Sequence, residues 1–262
     1  MSYISTLSSE QKGNIKVLVD ELQKAGITNP ISIAGILAII SKESAFVPKD
    51  ENMNYSADRL VEVFKMSYSK AKQLANKPEA IANYVYGGKY GNNTSGDGWK
   101  YRGRGFNGIT FKGNYIKYGD AIGVNIVSSP SKANEIATAS KIQSEFLKNG
   151  IASLKKQGKL SAYNSTGIND FKDTKNSVMA FYHINAGTGN SVSKIKGLAQ
   201  SDSLGGMKKA LSRVDELLEY TKTLMQQKPT GGGGGGFATT ILLAILFVSG
   251  WIAYRKYYNL PI

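Results

Sequence analysis

Apolar residues recur at helical spacing through most of the first 228 positions. Ile15, Leu18, Val19 and Leu22 mark one face of a first helix that ends near Gly26. Asn29 and Pro30 then read as an N-cap and a first-turn proline. From Ile31 to Ile40 only Ser32 is polar, so this second helix offers no face to water and is expected at the centre of the core. It runs out in Lys42, Glu43 and Ser44. Further amphipathic stretches are predicted at 57–65, 69–76, 79–86, 131–149, 175–184 and 203–227, with Gly87 and Gly150 placed as C-terminal stops. Strand-like alternation is scarce, although Tyr101 to Phe111 has room for a short hairpin. The pattern predicts a mostly α fold carrying one glycine-rich segment between Gly87 and Gly113.

The rhythm changes beyond residue 228. Residues 229–236 form a glycine-rich linker with few side chains to pack. Phe237 to Tyr254 then runs without a charge, at the lower end of the ~17–25 residues that span a bilayer core. Trp251, Tyr254, Tyr257 and Tyr258 gather with Arg255 and Lys256 at its far end, as interfacial anchors do. The expected organisation is a domain over 1–228, a tether over 229–236, a transmembrane helix over 237–254 and a short basic and aromatic tail over 255–262. The opening residues show no basic start followed by an apolar run, so no secretory signal is recognised.

Composition narrows the chemistry. Hydrophobic residues make up 41% of the 262 positions, enough for a real core. There is no cysteine, which removes disulfides, thiolate metal sites and cysteine nucleophiles. The one histidine, His183, removes most zinc chemistry and is expected to be a core or surface residue. Lys and Arg outnumber Asp and Glu by 33 to 19, giving +14, of which +12 falls on residues 1–228. That excess favours anionic partners: nucleic acid, a membrane surface or an acidic wall polymer. Gly103, Gly105 and Gly108 fit G-x-G-x-x-G, but no buried strand or βαβ rhythm surrounds them, so a dinucleotide site is not expected. The basic residues are spread along the chain rather than gathered near Arg102 and Arg104, which argues against nucleic acid.

Carboxylates remain. Glycosidic hydrolysis with inversion pairs a protonated acid with a second carboxylate that activates water. Glu43 follows the all-apolar helix, where burial and the helix C-terminus favour the protonated form. Glu51 lies eight residues on, after Pro48 turns the chain, in a polar stretch that favours the ionised form. Asp50, Asp58 and Asp97 compete on composition alone, and solvated surface carboxylates are the plain alternative.

Three segments carry a resemblance. SKESAFVPKDENMNYSADRL (Ser41 to Leu60), YGNNTSGDGWKYRGRGFNGITFKGNY (Tyr90 to Tyr115) and INAGTG (Ile184 to Gly189) occur in an order that resembles the phage and bacterial branch of the glycoside hydrolase family 19 chitinases. The resemblance implies a lysozyme-like two-lobed domain in which Glu43 is the general acid and Glu51 the base. It implies that Thr110 helps hold the attacking water and that Asn114 and Asn185 contact sugar. Tyr55, Tyr101 and Tyr115 are expected to line or support the groove. Two positions depart from the pattern. Lys42 stands where the family has histidine, and Gly108 where it has a sugar-binding glutamine, a role that Asn107 is placed to take over in part.

The expectation for the whole chain is a peptidoglycan hydrolase cleaving β-1,4 glycan bonds with inversion, without metal or cofactor and without a nucleic-acid partner. The lipid bilayer is met through residues 237–254. The expected setting is a phage: a virion internal membrane, for wall penetration, or the host inner membrane, for lysis. The alternatives are a chitinase acting on N-acetylglucosamine polymers and a non-catalytic wall-binding or structural virion protein that keeps the fold.

Overall fold

The computed structural model describes residues 2–200 and 205–227. Its helices are α1 (Ser9–Lys24), α2 (Pro30–Glu43), α3 (Ala57–Phe64), α4 (Tyr68–Leu74), α5 (Pro78–Tyr86), α6 (Asp97–Lys100), α7 (Lys112–Ile122), α8 (Ile136–Lys156), α9 (Thr174–Ala186), α10 (Val192–Gln200), α11 (Gly205–Leu211) and α12 (Val214–Gln226). Among the described residues the one β pairing is an isolated antiparallel bridge between Arg104 and Ile109, inside the segment expected to form a hairpin. The glycine-rich linker, the uncharged span and the tail lie outside the described residues. No helix among the described residues is long and apolar enough to cross a membrane.

The second helix takes the central place its composition demands. The Asn29 side chain accepts from the Ile31 amide at 2.8 Å and Pro30 opens the helix. Every residue from Ser32 to Ser41 is buried. α2 packs against α9 and α12, and α1 lies along α8. The contact with α9 is close because Gly35 lacks a side chain: a Cβ there would come within 1.8 Å of Ser177 Oγ, which itself donates to the Ile31 carbonyl at 3.0 Å. Burial of this apolar surface is the main force holding the larger lobe together.

A smaller lobe is built on separate apolar clusters. Met53, Leu60, Leu74 and Ile81 fill the space between α3, α4 and α5. Tyr101, Tyr115, Tyr118 and Ile126 form another cluster beneath the glycine-rich segment.

The helix pattern needs three corrections. Gly150 is no stop; α8 runs through it to Lys156, and the missing side chain admits Ile184 of α9, whose Cγ2 would lie 2.3 Å from a Cβ. The stretch at 203–227 divides into α11 and α12, with Arg213 at the break reaching Ser41 Oγ at 3.2 Å and stacking on Tyr3. α6, α7 and α10 were not anticipated.

Candidate active site

The end of α2, the chain at 49–52 and the turn from Gly103 to Thr110 enclose a cleft of about 570 Å³. Glu43, Glu51, Thr110 and Asn107 all line it, together with Lys49, Asp50 and Gly108.

Glu43 is the last residue of α2. Neighbours i and i+1 diverge on a regular helix, yet Lys42 Nζ lies 2.6 Å from Glu43 Oε1 because the helix ends here and the long lysine stem folds back. Asn185, at the end of α9, donates Nδ2 to the same Oε1 at 2.9 Å. The sequence suggested a buried carboxyl; the side chain is instead 28% exposed and faces a cation. Burial of α2 stops at Ser41, and its last two residues emerge at the cleft.

The chain reverses immediately afterwards. Ala45 and Phe46 both adopt left-handed conformations, φ 50° and 64°, which cost a non-glycine residue free energy and persist only where neighbours hold them. Here α1 supplies the neighbours: Gln11 Nε2 donates to the Ala45 carbonyl at 3.0 Å and Asn14 Nδ2 to the Phe46 carbonyl at 2.9 Å. The Phe46 ring is fully buried. The reversal thus precedes Pro48 rather than resting on it.

Glu51 is held through its backbone and both carboxylate oxygens. Its amide donates to the Gly103 carbonyl at 2.8 Å, and the Gly103 amide donates back to Oε2 at 3.2 Å. Tyr86, the last residue of α5, donates its hydroxyl to Oε1 at 2.8 Å. Burial, followed by the charge of Glu51, pushes the Tyr86 phenol far above its ordinary range, so it remains a donor. Gly103 keeps this approach close: a Cβ would sit 3.0 Å from Glu51 Oε2 and 3.4 Å from Thr110 Oγ1, tight enough that the Glu51 side chain would have to give. Thr110 itself donates to the Gly108 carbonyl at 2.9 Å, leaving its oxygen lone pairs for another partner.

Asp50, the neighbouring competitor, is occupied differently. Arg102 pairs with its Oδ2, Arg104 Nε lies 2.8 Å from Oδ1, and Asn134 Nδ2 donates to Oδ1 at 2.7 Å. Arg102 also stacks on Trp99, 3.7 Å from the ring centroid. Asp50 therefore ties the 49–52 chain to the glycine-rich segment.

The remaining predicted residues fall into two groups. Asn114 donates to the Thr110 carbonyl at 2.8 Å, fixing the turn that carries Thr110. Tyr55 is half-buried at the edge of the small lobe; burial and then the charge of Glu51 raise its hydroxyl pKa. Tyr101 and Tyr115, expected to line or support the groove, do not line it, being 1% and 0% exposed. The Tyr115 hydroxyl receives Arg104 Nη1 at 2.9 Å and donates to the Arg102 carbonyl at 2.8 Å, so it supports the Asp50 clamp from below. Burial pushes that hydroxyl up to about 12.

Sequence reasoning missed Tyr86, Asn134 and the clamping role of Arg102 and Arg104. No local spacing signals them, because each meets its carboxylate only through the tertiary fold. His183 is buried between Tyr163 and the Asn190 carbonyl, with ring contacts of 2.8 and 2.9 Å. Of the two places the sequence left open, core or surface, it takes the core.

Comparison with known proteins gives a partial match. The chain is 40% identical over 121 residues to a protein of Haemophilus influenzae named "Glycosyl hydrolase family 19 domain-containing protein", a match that covers 44% of this chain. The chain spans about 60% of the length of that relative. No protein-family model matches.

Proposed function

We propose that the chain is a glycoside hydrolase of family 19 that cleaves β-1,4 bonds of peptidoglycan glycan strands with inversion. Glu43 protonates the leaving oxygen, while a water held by Thr110 and activated by Glu51 attacks the anomeric carbon from the opposite face. The observation that carries this reading is the pair of glutamates in one cleft, one on each lobe and each in a different environment. Glu43 has Oε2 without a hydrogen-bond partner among the described residues, and Glu51 has both oxygens oriented by fixed donors. Similarity to a family 19 domain-containing protein supports the same reaction class.

Peptidoglycan is preferred to chitin on charge and space. Lys49 lines the cleft with no ion pair among the described residues. Gly108, at φ 65°, leaves open space where a longer side chain would project. An anionic, substituted glycan suits both features better than a neutral polymer does. Membrane anchoring through residues 237–254 and a role in phage entry or host lysis complete the proposal. They rest on the uncharged span of the sequence.

The test is a zymogram on purified peptidoglycan and on chitin with the wild-type chain, Glu43→Gln and Glu51→Gln. Clearing of peptidoglycan by the wild type, with both variants folded and at least about 10²-fold slower, is the expected result. Full clearing by Glu43→Gln sinks the acid assignment. Essentiality of Asp50 with a dispensable Glu51 reassigns the base. Extraction of the protein from particles or host membranes only with detergent tests the anchor.

A further inference from the structure

The two contacts to Glu43 fall on one oxygen. Lys42 Nζ and Asn185 Nδ2 both address Oε1, at 2.6 and 2.9 Å. Lys42 is itself seated from two sides. Its ammonium lies 5.3 Å from the centroid of the Tyr182 ring on α9, and its stem runs across Gly206 of α11, where a Cβ would come within 2.1 Å of Lys42 Cε. A flexible lysine at a helix end ordinarily loses rotamer freedom for little return. This one is directed at its neighbour by two helices that are distant in sequence.

We propose that Lys42 is a positioning residue for the general acid, fixing Oε1 so that Oε2 alone carries the transferable proton. The inference rests on Glu43 being that acid. In the step, the O–H bond on Oε2 breaks as the proton passes to the glycosidic oxygen, and the C–O electron pair leaves with that oxygen. The carboxylate left behind has its negative charge met by the ammonium at Oε1, a preorganised interaction that needs no rearrangement as charge develops. Asn185 holds the same oxygen from the opposite element. Its amide, expected from the resemblance to contact sugar, acts here on the acid.

A substrate that needs no acid separates positioning from folding. The full chain is assayed on the glycan strands it hydrolyses, whose leaving group is a sugar alcohol, and on a 2,4-dinitrophenyl glycoside of the same repeat, whose leaving group departs unprotonated. Lys42→Met is expected to lower kcat on strands by about 30-fold or more, within the range general-acid catalysis supplies, with KM and thermal midpoint unchanged. The dinitrophenyl substrate should change by no more than about 3-fold, since the missing function is one it does not use. Equal losses on both substrates, or none on either, overturn the inference. Glu43→Gln is run alongside. If it hydrolyses strands fully, the acid assignment falls and this inference with it; if it is inactive while Lys42→Met is unaffected or uniformly slowed, only this inference falls.

Discussion

The two glutamates are mounted in opposite ways. Glu43 sits on a regular element, the last residue of a helix that is buried from Ser32 to Ser41. Its carboxyl group is nevertheless held, among the described residues, at one oxygen, by the tips of two side chains. Glu51 lies on a stretch without regular secondary structure, yet its amide and both oxygens are fixed by Gly103 and Tyr86. Rigidity of the element and rigidity of the functional group are therefore separate properties. In the role proposed for Glu43, an acid presents one oxygen and releases a proton from it, so partial restraint suffices. A base must aim a lone pair at a water, and in the proposed role of Glu51 that aim comes from two segments, at Gly103 and Tyr86, converging on one carboxylate.

The sharpest way to break this contrast is at Gly103. Gly103→Ala inserts a Cβ 3.0 Å from Glu51 Oε2 and 3.1 Å from Glu51 Cβ, so the Glu51 side chain must give by a few tenths of an ångström and its bond from the Gly103 amide is disturbed. A loss of about 10²-fold in kcat is expected, the scale on which small misplacements act. Steady-state rates on peptidoglycan check it, and a rate near wild type would show that Glu51 does not need this mounting. Tyr86→Phe is the milder cut, removing one hydrogen bond to a charged acceptor while its edge contact with Phe111 at 5.3 Å remains. The expected cost is about 1.5–3 kcal/mol in transition-state stabilisation, or roughly 10- to 100-fold in kcat. Loss in KM alone would place Tyr86 in substrate binding instead. Smaller again is Lys49→Met, which touches neither mounting. KM for peptidoglycan should rise by about 3- to 5-fold, as for an exposed ion pair, with no change on neutral N-acetylglucosamine oligomers. Equal effects on both polymers would remove Lys49 from substrate discrimination.

The same contrast explains what the sequence disclosed. The place of Glu43 at the end of α2 was legible because that helix announces itself by an N-cap, a proline and an apolar run interrupted only by Ser32, all local signals. The glycine-rich segment stood out too, and Gly103 is where Glu51 needs close approach. Tyr86, Asn134, Arg102 and Arg104 were not legible as partners of Glu51 and Asp50, because their contacts join residues 35 to 84 positions apart. Helix boundaries failed for a related reason. Gly150 looks like a stop in its own window and becomes a packing notch only when Ile184 arrives from another helix. Tyr101 and Tyr115 likewise carry no mark that separates a ring in a groove from a ring beneath one.

Behind the acid side lies the smallest effect, one of stability rather than rate. His183 accepts from the Tyr163 hydroxyl at Nδ1 and donates from Nε2 to the Asn190 carbonyl, and Lys159 Nζ reaches that same carbonyl at 2.9 Å and the Thr188 carbonyl at 2.8 Å. These contacts close the loop that follows Asn185, so they bear on how firmly the acid is held. Burial, with Lys159 adding to it, lowers the His183 pKa below its ordinary 6.5. The folded state then prefers the neutral ring, and between the folded and unfolded values the unfolded chain binds more protons. Stability contributed by His183 is thus present above about pH 6.5 and is lost as pH falls through the folded value. His183→Gln is expected to unfold about 2–4 °C below wild type at pH 7.5, the scale of one lost hydrogen bond in a domain of this size. The gap should narrow by pH 5.5, because the wild type alone carries the acid penalty at this site. Thermal melts of both proteins across that range measure it, and a gap that does not change with pH would show that His183 does not titrate with unfolding.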